Sequence, residues 1–77
     1  MRIKNLLGMN VVDTSAKVIG EIEDVDFDKS TGKIQELFIS HKKNIISNKE
    51  IIISYNDIEN LGDYILLNIN VNLEEIS

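Results

Sequence analysis

The chain has 77 residues, with 13 acidic and 8 basic side chains, a formal net charge of -5, no cysteine and no proline. That length suits one domain, read as spanning residues 1–77 with a core from about 6 to 69 and a C-terminal extension over 70–77. The charge argues against a general electrostatic nucleic-acid binder, which needs a basic face, and against docking on an anionic lipid surface. Without cysteine there are no disulfides, and with one histidine a zinc site has too few ligands. A domain this small has a thin stability margin, and self-association is the remedy its composition leaves open.

Gly8 and Asn10 interrupt the N-terminus too early for a signal peptide, and no run approaches the ~20 apolar residues of a membrane span. The expected location is cytoplasmic. A first strand is predicted over 9–13, closed by the polar turn Asp13-Thr14-Ser15. The next run, from Lys17 to Asp28, is rich in β-branched residues and favours strand. Its apolar positions change phase: Ile22 is even, whereas Val25 and Phe27 are odd. A strand alternates faces with period two, so a bulge near Glu23-Asp24 is needed to keep both sets on one side. The turn signal 28–32, ending in Gly32, joins this strand to one over 33–41 as a hairpin, with Leu37 and Ile39 on one face and Phe38 on the other.

Lys42 to Asn44 are polar, followed by Ile45-Ile46 and a turn at Ser47-Asn48. The β-branched run 50–54 reads as a buried strand. Over 55–61, Asn56 or Asp57 is placed to cap a helical turn ending at Gly62, with Ile58 and Leu61 on one side of it. The last strand covers 63–69. Ile65, Leu67 and Ile69 face one way, a period continued by Val71 and Leu73, and Asn68, Asn70 and Asn72 face the other. The tail then has three possible uses: extending the strand, covering a barrel end or pairing with a second copy. The fold class that follows is all-β: a small barrel of five to six strands with one short helical turn near residues 55–61.

The order of these features resembles the PRC-barrel family. The resemblance begins at 7–13, a leucine-glycine pair, a valine strand and an acidic turn. It continues through the glycine, spaced aliphatics and aspartates of 18–28, the Thr31-Gly32 hairpin, and the closing segments 53–58 and 61–67. Two features depart from the pattern. Ala16-Lys17 stands where members often carry a glycine, and Tyr55-Asn56-Asp57 lacks the usual variants before Ile58. The resemblance implies a non-enzymatic module of the stand-alone archaeal type. Members serve photosynthetic electron-transfer assemblies, ribosomal RNA maturation and archaeal cell division. Fold does not fix function, so these remain analogies.

The residues carry no clear catalytic constellation, and no catalytic, cofactor-binding or metal-binding residue is assigned. Asp24-x-Asp26-x-Asp28 begins like a calcium loop, but Lys29 occupies the required glycine position and Gln35 falls where the bidentate glutamate belongs. Glu21, Glu23, Asp24, Asp26 and Asp28 therefore read first as a solvated strand face and turn. Weak divalent-cation binding and an acidic stripe that meets a basic protein are the other readings. Ser40 and His41 are adjacent on a strand, which sends them to opposite faces and is poor geometry for a nucleophile and base. Lys42, Lys43 and Lys49 read as solvated loop lysines. The aromatics Phe27, Phe38, Tyr55 and Tyr64 read as core or core-edge residues, since base-stacking platforms need a basic groove. The glycines are too scattered for a phosphate loop.

Three functions remain. The leading one is a non-catalytic protein-interaction or scaffold module of a cytoplasmic assembly such as the cell-division machinery, with a protein partner or a second copy of itself. The others are a ribosome-associated RNA-maturation accessory and, last, a small metal-dependent enzyme using His41 and the acids.

Overall fold

The computed structural model describes residues 1–42 and 48–73. A four-residue helix, α1 (Ile3–Leu6), precedes the strands β1 (Asn10–Val12), β2 (Val18–Phe27), β3 (Ile34–Lys42) and β4 (Asn48–Ser54). A 3-10 turn (Tyr55–Asp57) leads into β5 (Ile58–Leu61) and β6 (Ile65–Leu67). One six-stranded sheet forms in the order β4-β3-β2-β1-β6-β5. All neighbours are antiparallel except β1 and β6. The 3-10 turn connects the two edge strands, β4 and β5, so the sheet curls into a barrel-like body with a seam between them.

The core is aliphatic. Leu6, Val11, Ile19, Ile22, Leu37, Ile39, Ile51, Ile53, Ile65, Leu67 and Val71 are buried together. Each such side chain contributes about 1.5–3 kcal/mol by leaving water, so this cluster dominates the favourable side of folding.

The phase problem in β2 is solved by irregular pairing. Against β3, Ile22 faces Ile39 and Asp24 faces Phe38, leaving Glu23 as the extra residue predicted from the sequence. A second irregularity lies against β1, where Val11 faces Gly20 and Val12 faces Val18, so Ile19 is the extra residue. Ile19 and Ile22 are buried and Val25 is half-buried, at a spacing of three. Between the two irregularities Gly20 lets β3 approach closely. A Cβ there would collide with the Ser40 carbonyl oxygen and lie 2.8 Å from Ile39 Cγ2.

The helical turn expected near 55–61 forms, and the same device sets where it ends. Only Tyr55–Asp57 is helical. Its cap is Ser54, not Asn56 or Asp57: Ser54 Oγ accepts from the Asn56 N–H, and Asp57 Oδ2 accepts from the Ser54 N–H. Ile58–Leu61 is a strand in which Ile58 faces Leu67 and Asn60 faces Leu66. Glu59 is the extra residue, and this bulge puts Ile58 and Leu61 on the core side. A spacing of three, read as one turn of helix, belongs here to a bulged strand.

Other expectations divide. The hairpin at Gly32 forms, with the Asp28 N–H bonded to the Lys33 carbonyl at 2.8 Å. The run 50–54 is buried on one face only: Ile51 and Ile53 are inside, whereas Ile52 is 53% exposed because β4 is a single layer with solvent outside. Asn48 pairs with Lys42 within the sheet rather than forming a turn. Residues 43–47, including Lys43, Ile45-Ile46 and Ser47, and the tail residues 74–77 lie outside the described residues. Residues 69–71 lie against the first turn. Val71 is buried and Leu73 packs on the core although β6 ends at Leu67. The short α1 has no counterpart among the expected elements; it places Leu6 in the core.

Candidate interaction surfaces

The outer face of β2, β3 and β4 is ordered by the sheet register into three cross-strand rows. Glu21 faces Ser40, which faces Glu50. Asp24 faces Phe38, which faces Ile52. Asp26 faces Glu36, which faces Ser54. Directly opposed side chains in an antiparallel sheet share a face. An apolar pair, Phe38 and Ile52, therefore sits within five carboxylates and two hydroxyls. The first cation along this face is Lys42, in the following row opposite Asn48. Glu21, Glu23, Asp24 and Asp26 are solvent-exposed, as read for a solvated strand face, but they frame an apolar centre that the acidic run alone does not reveal. The signal for it was present in Ile51-Ile52-Ile53: with period two, the middle residue must turn outward.

Of the core or core-edge placement expected for the aromatic residues, none takes the core. Phe27 is 54% exposed, Tyr64 50% and Tyr55 41%. Phe38 is half-buried and lies on the outer face. Phe27 stands where β2 runs out into the hairpin, Tyr64 lies between β5 and β6, and Tyr55 is at the barrel rim. The interior is already filled by branched aliphatics. At that rim a hollow of about 160 Å³ is lined by Ile3, Leu6, Ile34, Leu37, Tyr55 and Ile58, among others.

His41 lies in a different groove, beside Glu21 and Lys42. Its Nδ1–H donates to the Ile19 carbonyl at 2.7 Å, an interaction that requires the proton on Nδ1 and leaves Nε2 as the acceptor when the ring is neutral. Ser40, in the row of Glu21 and Glu50, also lines this groove, and of the acidic run only Glu21 does so. Among the described residues no three His, Cys, Asp or Glu side chains come together in a geometry that could hold a metal.

The most buried polar group among the described residues is Asp13, a residue the sequence marked only as a turn former. It is fully buried. Its Oδ1 accepts from the N–H groups of Ser15 (2.9 Å) and Lys17 (3.1 Å), and its Oδ2 from that of Val71 (3.3 Å). Lys17 Nζ lies 3.6 Å from Oδ2 and donates to the Val71 carbonyl at 2.9 Å. Burial pushes the carboxyl up, but the three backbone donors and the Lys17 ammonium outweigh it and hold its pKa below the ordinary value. This arrangement ties the buried core residue Val71 to the first turn. With all its acceptor sites directed inward, Asp13 is a structural group.

The model of the PRC-barrel domain matches residues 1–72. The chain belongs to the PRC-barrel family. Among solved structures, this PRC-barrel chain is similar in fold to a 16S ribosomal RNA processing protein, RimM, from Pseudomonas aeruginosa, with a TM-score of 0.68 at 10% sequence identity. The similarity covers 91% of this chain but 44% of the RimM chain, so the PRC-barrel spans less than half of that protein. Among curated proteins no relative matches. No described helix is long and apolar enough to cross a membrane.

Proposed function

We propose that this PRC-barrel is a non-catalytic protein-docking module of a cytoplasmic assembly, of the stand-alone archaeal type and with the cell-division machinery as the leading setting. The observation that carries the reading is the outer face of β2, β3 and β4, where Ile52 is more than half exposed and rests beside Phe38 in a frame of carboxylates. Apolar groups rimmed by polar ones are the usual composition of a protein-contact surface. The partner is a protein, either a second copy or a component of a larger assembly. The acidic frame disfavours nucleic acid, whose phosphates it would repel.

Affinity purification of the tagged domain from its native cells, together with sedimentation at high concentration, tests this. Stoichiometric recovery of a protein or a defined oligomer supports it; a monomer that recovers no protein overturns it. A second reading, a ribosome-associated RNA-maturation accessory, draws on the fold likeness to RimM. It predicts co-sedimentation with ribosomal particles, and a domain that stays in the supernatant rejects it.

A further inference from the structure

The two edges of the sheet are built differently. β5 has four residues, and its pairing with β6 is broken by the extra residue Glu59. Short, bulged edges are a common way to prevent pairing with foreign strands. β4 has seven residues and pairs with β3 in seven consecutive positions, from Lys42–Asn48 to Glu36–Ser54, without irregularity. It contains no proline, and no described strand lies on its other side. A long, unbulged, β-branched edge is a template for a further strand.

We infer that the open edge of β4 takes up an extended segment of a partner protein in which basic residues alternate with an apolar one. The inference rests on the docking reading and adds the surface and the partner's chemistry. An added strand gains main-chain hydrogen bonds from the edge ahead of Ser54, whose N–H is already bonded to Asp57, and its alternate side chains determine specificity. On the outer face, the residue opposite Ile52 lies against an apolar side chain that continues the Phe38–Ile52 row. The side chains two positions before and after it lie opposite Glu50 and Ser54. Beyond these stand Ser40 and Glu36 on β3, with Glu36 within the reach of a lysine or arginine. The third strand of the face carries Glu21, Asp24 and Asp26. The acceptor surface thus has an apolar centre with negative charge on both sides, and the whole chain carries a net charge of -5. A second copy is the poorer occupant, because its own outer rows bring the same carboxylates to the junction, where like charges disfavour pairing.

The test uses the full chain and a blocked peptide of the pattern Lys-Thr-Ile-Thr-Lys, with a Glu-Thr-Ile-Thr-Glu peptide as control. Fluorescence anisotropy is expected to show binding of the lysine peptide that weakens as salt rises, and no binding of the glutamate peptide. Glu36→Lys combined with Glu50→Lys weakens binding by about tenfold or more, and Ile52→Lys abolishes it. Both changes are on the exposed face, and circular dichroism checks that each variant is folded. Amide exchange on the wild-type chain needs no variant: the peptide is expected to slow exchange within 50–53. Equal binding of both peptides, no binding, or protection confined to another strand overturns the inference. So does a dimer of the chain alone with β4 already protected. Stoichiometric recovery of a partner by an Ile52→Lys chain also overturns it while leaving the docking reading intact. Failure to recover any partner with the wild-type chain defeats the docking reading itself.

Discussion

Asp13 and Asp28 each open a tight turn between strands, and locally they do the same work. Asp13 Oδ1 accepts from Ser15 two residues on, and Asp28 Oδ1 accepts from Ser30 in the same relation at 2.8 Å. In each turn a residue with positive φ, Ala16 at 63° and Gly32 at 75°, turns the chain back into the next strand. The surroundings differ. The Asp28 turn projects into solvent at the tip of the β2–β3 hairpin. The Asp13 turn is covered by the tail: the Thr14 N–H bonds to the Ile69 carbonyl, Asn70 Nδ2 donates to Ser15 Oγ, and Val71 and Lys17 complete the carboxylate's shell. One aspartate ends as a turn former, and the other as a joint that fastens the core residue Val71 to the first hairpin. The same sequence signal acquires its energetic weight from what later packs on it.

Substitutions can break this comparison in graded steps. Asp13→Asn should have the largest effect, because an amide places N–H groups against the Val71 N–H and the Lys17 ammonium. Thermal melts should show a drop in Tm of roughly 10 °C or more. The effect is also pH-dependent. The folded pKa of Asp13 lies below the ordinary 3.8, so the stability its ionised form contributes is complete above the unfolded value and is lost as pH falls through the folded one. Melts of the wild type should lose Tm as pH falls below about 4, while Asp13→Asn loses less over the same interval.

Gly32→Ala meets no atom within 4 Å but keeps a left-handed backbone, and should cost about 1 kcal/mol, or ~5 °C in Tm. Ala16→Gly should act in the opposite direction. Ala16 holds a left-handed conformation, φ 63°, that L residues rarely adopt. Relief of that strain, less glycine's larger loss of chain entropy, should stabilise by about 0.5–1 kcal/mol in urea unfolding. Asp28→Ala should be the mildest, about 0.5 kcal/mol, because water can satisfy the exposed Ser30 N–H. An Asp28→Ala loss as large as that of Asp13→Asn would show that the tail adds nothing to the first turn.

Much of this molecule is local and legible in the order of its residues. The missing cysteines exclude disulfides, and the β-branched runs point to the all-β fold. The Asp28–Gly32 turn and the bulge at Glu23 follow from turn chemistry and from the parity of Ile22 against Val25. The features that the residue order leaves open depend on partners distant in sequence. Ile58 and Leu61 have the same spacing in a bulged strand as in a helical turn, and only pairing with β6 decides between them. Asp13 becomes a buried anion only because Val71 returns to it from 58 positions away. Phe38 and Ile52 become neighbours, and acquire a carboxylate frame, only when the β2–β3–β4 register aligns them. Periodicity within a segment can be read from the chain, because it depends on backbone geometry shared by all sequences. Register, burial and the assembly of a surface are settled by contacts between segments, and those exist only once the strands have paired.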